Sequence, residues 1–368
     1  AVFDITKYGA KADGATDNVQ AIMQAWNAAC KAGGQAKVVI PTGTFLAGPV
    51  MFQGPCKGPM VIEVQGTLKA STDVSQYTDN LWFGFEAING LSITGTGTFD
   101  GQGGSVWKYN DCDTNSNCKM LPSSLHFARV SNAVIDGINS LNAMAFHFHL
   151  YGCTNITIKN VHITAPANSP NTDGIHVSIS TLVNITNTVI GTGDDCISIG
   201  QGAHKVNMYK VTCGPGHGLS VGSLGKYKNE QDVTEITATN CTLIETTNGA
   251  RIKTWAGSPP SKATSITFQD IIMKNVKNPV IIDQKYGSHS GQPSQVKISD
   301  VHFRNIRGTS TSNIAVSLGC SSMVPCDGVE VADIDLSYVG IKKVTALTSA
   351  CLNAKAKFSG KMNPPACA

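Results

Sequence analysis

At 368 residues the chain exceeds the roughly 250–300 at which one globular core stops growing, so it holds either two ordinary domains or a stacked repeat. Charged residues make up only 14%, 37 residues are Gly, and short Val/Ile/Thr runs alternate with Gly, Asn and Asp, which favours a β-rich repeat. A net charge of +3 is too small for a nucleic-acid binder, and no apolar run approaches the roughly 20 residues that cross a bilayer.

The chain opens on Ala1 and not Met, as expected of a mature form that has lost a targeting segment. Val19, Ile22, Met23, Trp26 and Cys30 then recur at helical spacing after Thr16 and Asp17, which can cap a helix N-terminus. One amphipathic helix, within about residues 1–50, would cover the open end of a stacked core. The apolar stretch around Asn142–Tyr151 is too short to span a membrane and is broken by His147 and His149.

Through the middle runs a recurring pattern: apolar, x, apolar, x, Asn/Asp, apolar, x, apolar. It reads Ile156-x-Ile158-x-Asn160-Val161-x-Ile163 and returns from Ile236, Ile266, Val296 and Val329, with looser copies at Leu91, Ala133, Val183 and Val206. Apolar residues two apart put one strand face inward, and the Asn or Asp after them tolerates a left-handed bend. From Ala133 onward the copies recur at roughly 23–33 residues with no helical pattern between them, which suits the coils of a β-solenoid better than a sandwich. The pattern fades after Thr345, so about residues 345–368 are expected to form a C-terminal cap on a single domain spanning 1–368.

Successive coils each contribute one polar cluster: Asn171-Thr172-Asp173-Gly174, Gly193-Asp194-Asp195-Cys196, Gly216-His217-Gly218, Arg251-Ile252-Lys253, and Tyr286. Asp-Gly and Asn-Thr-Asp are ordinary turn sequences, and Asp194-Asp195 would also suit a cation site. Recurrence coil after coil argues instead for a shared column about 20 Å tall, four coil steps of about 4.8 Å. Three carboxylates, a His, two cations and a Tyr suit hydrolysis of an acidic polysaccharide. That reaction needs one protonated and one ionised carboxyl, while Arg251 and Lys253 suit a uronate.

At these residues the sequence resembles the polygalacturonases of glycoside hydrolase family 28. Asn-Thr-Asp, Asp-Asp-Cys, Gly-His-Gly and Arg-Ile-Lys occur in that order, and the runs 169–176 and 191–200 are plant-type, most similar to pollen exopolygalacturonases, several of which are allergens. The resemblance implies an all-β, right-handed parallel β-helix and an inverting mechanism without metal or other cofactor. Asp194 would be the general acid, and Asp173 and Asp195 would hold and deprotonate the attacking water. His217 would tune the acid, Arg251 and Lys253 would bind galacturonate carboxylates, and Asn171 and Tyr286 would line the subsite. Spacing alone leaves inversion and retention open, since one coil step is close to the roughly 5–5.5 Å of retaining pairs.

The resemblance also implies Cys196–Cys213. Chain proximity suggests Cys30–Cys56, Cys112–Cys118, Cys320–Cys326 and Cys351–Cys367, leaving Cys153 and a buried thiol at Cys241. Twelve Cys and the sequons at Asn155, Asn184 and Asn240 point to a secreted glycoprotein, and the resemblance implies the cell wall as its place of action. One departure stands out: where related plant enzymes often carry Cys after Gln-Lys-Tyr, this chain has Gly287. Pectin is the expected partner of a monomer, attacked from its ends. The rivals are endo action, a calcium-dependent pectate lyase with Asp173, Asp194 and Asp195 on the ion, and a non-catalytic wall-binding protein.

Overall fold

A computed structural model describes residues 1–368 apart from Asp113, Ser288, His289, Val344, Thr345 and Ala368. It comprises two compact units, Ala1–His176 with Thr186–Asp194, and Val177–Ile185 with Asp195–Ala368.

The first unit carries the expected helix, Val19–Lys31, with two corrections. Asn18, not Thr16 or Asp17, holds the N-cap position. Its amide is turned to the Lys11 N–H and to the Lys11, Thr16 and Leu46 carbonyls, while Asp17 accepts from the Val19 N–H at 3.0 Å. The buried stripe is Ala21, Ile22, Ala25, Trp26 and Ala29, with Met23 and Cys30 at its half-buried edge. Small alanines bring the helix close to the strands Val2–Asp4, Ala36–Ile40 and Val50–Gln53, where Trp26 stacks on Phe52 at 4.5 Å.

Behind the helix, short parallel strands repeat in register. Val38, Ile62, Ile93, Ile135 and Ile158 form one inward column, each at most 1% exposed. Phe52, Phe85, Phe127 and Leu150 form another on a second ladder, with Phe85 stacked on Phe127 at 4.7 Å. Each such side chain contributes about 1.5–3 kcal/mol by burial.

The second unit repeats the plan with longer strands. Met208, Ala238, Phe268, Phe303, Val331 and Phe358 align on one ladder, and Ile197, Leu219, Ala250, Val280 and Val316 on the other. Both units are therefore built of parallel β-helix coils.

The bends form as the sequence pattern requires. Asn160, Asn240, Asp270 and Asp333 have φ of +54°, +53°, +55° and +54°, the left-handed region where a short polar side chain is tolerated. Asparagine amides at the bends link neighbouring coils in one direction: Asn155 donates to Asn132 at 2.7 Å and Asn132 to Asn89 at 2.8 Å. Asn160 likewise donates to Asp136 at 2.8 Å, and Asn305 to Asp270 at 2.7 Å.

One copy of the repeat is placed differently from its reading in the sequence. Ile266 and Phe268 pair with Val301 and Phe303, not with Val296 and Ile298. The strand Val296–Ser310 contains two left-handed bends, at Asp300 and Asn305, so the pattern fits twice, five residues apart. The sheet ladder selects the second fit.

The C-terminal stretch also differs from the expected patternless cap, whose bounds Thr345 and Ala368 lie outside the described residues. Thr348–Leu352 pairs with Ile314–Gly319 and Ala354–Asn363 with Cys326–Tyr338, continuing both ladders with mostly exposed side chains. All five expected disulfides are formed, and Cys153 and Cys241 are buried outside them.

Candidate active site

Three of the polar clusters precede strands of the second ladder, namely Ile175–Ser178, Ile197–Ile199 and Leu219–Leu224. Arg251 and Lys253 lie within Asn248–Trp255, and Tyr286 ends Asn278–Tyr286.

In the first unit, the turns carrying Asp173 and Asp194 are tied together by the residue before each. Thr172 is fully buried, shares a 2.6 Å hydrogen bond with Ser169, and accepts the Gly193 N–H at 3.0 Å. Gly193 is required there, because a Cβ would collide with the Ser169 carbonyl. Asp173 is 6% exposed and Asp194 half-buried. Asn171, at φ +51°, accepts from the Asn110 amide at 2.9 Å. Asn110 belongs to a segment running between the strands Thr98–Asp100 and Ser123–Ala128, clasped by Cys112–Cys118 and anchored where Trp107 donates to the Ala143 carbonyl at 3.1 Å.

In the second unit, Asp195 is 1% exposed, and its carboxylate is surrounded by donors. Arg251 Nη2 lies 2.6 Å and Ser220 Oγ 2.8 Å from Oδ1, and Lys253 Nζ lies 2.7 Å from Oδ2. Arg251 Nε also donates to Ser220 Oγ at 2.9 Å. Burial alone would push the Asp195 carboxyl up. The charges of Lys253 and Arg251, with hydrogen bonds from Lys253 and Ser220, outweigh it and hold the group below the usual carboxylate range. His217, between two glycines, brings a ring nitrogen within 4.8 Å of an Asp195 oxygen. Cys196–Cys213 braces the residue next to Asp195. Lys253 Nζ also stands 5.0 Å from the centre of the Tyr286 ring.

Ser220 was not legible as a site residue. A lone serine carries no motif, and only its register opposite Arg251 reveals it.

Glycoside hydrolysis draws on a pair of carboxyl groups, and here an ionised, buried Asp195 directly follows the half-buried Asp194 in the chain. The family model for glycosyl hydrolases family 28 matches residues 30–360. The chain belongs to glycosyl hydrolase family 28. It is 51% identical to "Exopolygalacturonase clone GBGE184" of Arabidopsis thaliana, over 100% of this chain and 88% of that protein. An exopolygalacturonase of Platanus acerifolia is 49% identical over 99% of this chain and 97% of its own length. The solved structure of a hyperthermoactive exopolygalacturonase from Thermotoga maritima superposes with a TM-score of 0.80 at 19% identity, covering 98% of this chain and 90% of that one. The family 28 chain is thus a glycoside hydrolase on a right-handed parallel β-helix.

Proposed function

We propose that this family 28 enzyme hydrolyses the α-1,4-glycosidic bonds of polygalacturonic acid from a chain end, with inversion. The carrying observation is the state of Asp195. An ionised carboxylate fixed by two cations cannot deliver a proton, which leaves Asp173 and Asp194 as candidates for the general acid, and the family resemblance points to Asp194. Asp173 and Asp195 then hold and deprotonate the water, with His217 tuning the acid. Arg251 uses Nε and Nη2 within the protein, which leaves donors of its fork for a uronate carboxylate. Lys253 has further protons for the same purpose, and Tyr286 and Asn171 line the site. We read residues 1–368 as a single β-helix catalytic domain.

End-wise action is supported by the names of the plant relatives. Five disulfides suit an oxidising compartment, and we assign the enzyme to the outside of the cell, as a monomer. Asn240 is exposed on a bend and suits glycosylation better than Asn155, whose amide nitrogen is engaged by Asn132.

The test is release of reducing ends from polygalacturonate by the wild type and by Asp194→Asn. The variant is expected to lose about 10²–10⁴-fold in rate, and equal rates would refute the assignment. Galacturonate monomer alone among early products supports exo action; a ladder of oligomers would exclude it. NMR of the first-formed anomer separates inversion from retention.

A further inference from the structure

A line of side chains runs outward from Asp195 within the second unit. Lys253 Nζ faces the Tyr286 ring, Tyr286 meets Trp255 edge to face at 5.2 Å, and Lys226 Nζ stands 5.2 Å from the centre of the Trp255 ring. Three observations mark the outer end of this line as built for a ligand.

The first is charge. Arg251 and Lys253 both have a carboxylate partner in Asp195, whereas Lys226 is exposed and no carboxylate pairs with it among the described residues. Glu230, the acid nearest in sequence, accepts the Gly225 N–H at 2.6 Å and the Tyr227 N–H at 3.0 Å. It clasps the backbone on either side of Lys226 and leaves the ammonium over the indole. The second is an unused donor. Trp255 Nε1 is buried without an acceptor among the described residues, although indole N–H groups in folded proteins are ordinarily paired.

The third is Gly287. Its φ is +59°, and a Cβ there would collide with the six-membered ring of Trp255, so the indole lies directly against the backbone. Any other residue would displace it. Gly287 is therefore what gives Trp255 its place.

We propose that Lys226 and Trp255 form a further subsite, which takes the galacturonate unit beyond the one met by Arg251 and Lys253. The ammonium pairs with the sugar carboxylate, the aromatic wall packs on the ring, and the indole N–H is offered to a hydroxyl. The subsite rests on the reading of the substrate as a polyuronate.

Lys226→Met tests it with galacturonate oligomers of defined length. For the trimer and longer chains, KM is expected to rise about 5–10-fold with kcat within about twofold, the signature of lost uniform binding. Digalacturonate, too short to reach the subsite, keeps its KM. Lys226→Arg restores the longer substrates, and salt near 0.5 M shrinks the difference, as expected for an exposed charge within about 4–5 Å of screening length. An unchanged KM at every length overturns the proposal, as does an equal rise for dimer and trimer.

Binding gives a second readout that does not need turnover. Trigalacturonate should change the tryptophan fluorescence of the wild type, and Trp255→Phe should remove that change. Gly287→Ala should weaken trimer binding while leaving the melting temperature within a few degrees. If the wild type cleaves no polygalacturonate, the functional reading fails, and the titration still decides the subsite. Trimer binding indifferent to Lys226→Met would reject it.

Discussion

Asp195 keeps its charge where almost no solvent reaches, and it does so because three side chains from neighbouring coils converge on it. Removing one partner leaves an uncompensated ion in a dry place, so Lys253→Met should cost about 3–5 kcal/mol of stability, read from the urea midpoint, in addition to its effect on activity. The Asp-Asp pair and the Arg-x-Lys pair were visible in the sequence because each has a motif. Their mutual pairing was not, since it depends on how coils separated by more than fifty residues fall into register. His147 shows a further limit. In the sequence it only interrupts an apolar run. In the fold it is fully buried, with Nδ1 on the Ser140 hydroxyl at 2.7 Å, and burial lowers its pKa to about 3. The unfolded chain therefore binds a proton that the native state does not, between about pH 6.5 and the folded value. The stability contributed is complete above that range and is lost as pH falls, by about 1.4 kcal/mol per unit for this one group. His149, held at about 2 by burial with His176 and His126 adding to it, acts in the same sense. Urea midpoints between pH 7 and 4 should fall steeply, and His147→Gln should reduce the slope by about one proton.

At the scale of the coil, the alternation of apolar residues and the polar bend were enough to identify the repeating unit. They were not enough to fix its phase. Val296-x-Ile298-x-Asp300 and Val301-x-Phe303-x-Asn305 obey the same rule, and local chemistry cannot rank them. The choice is made by stacking Phe303 on Phe268 at 5.5 Å. Phe268→Ala should therefore cost about 3–5 kcal/mol. The bend itself is more tolerant in one direction than the other. Asn305, at φ +48°, should keep its backbone when replaced by Gly and lose only its amide bond to Asp270, about 1 kcal/mol, whereas Asn305→Val should lose about 1–3 kcal/mol more from forcing a branched side chain into the left-handed region. Thermal melting of the two variants checks this. The starting helix was legible for the same reason as the coils, but its alanines were not, because period-based reading weights large apolar residues and overlooks small ones that permit close approach.

For the molecule as a whole, cross-links carry stability that burial alone does not. Cys30–Cys56 closes a loop with a sequence separation of 26 and should contribute about 3 kcal/mol by limiting the unfolded chain. Replacing both cysteines by Ser should lower the melting temperature by several degrees without altering the reaction product. The overall fold could be anticipated because a repeat advertises itself many times. The site could be anticipated only where its residues came as short motifs. The one-way amide links between bends extend this from stability to inheritance. A corner in the middle of such a run, such as Asn132, must give a hydrogen bond and take one, whereas a carboxylate can only take. Acids are therefore admissible at receiving positions, such as the corner Asp270 and Asp136 just before the Gly137 bend, and costly at relaying ones. As lineages diverge, replacements at these corners should arrive as matched pairs one coil apart, in an order set by which partner donates.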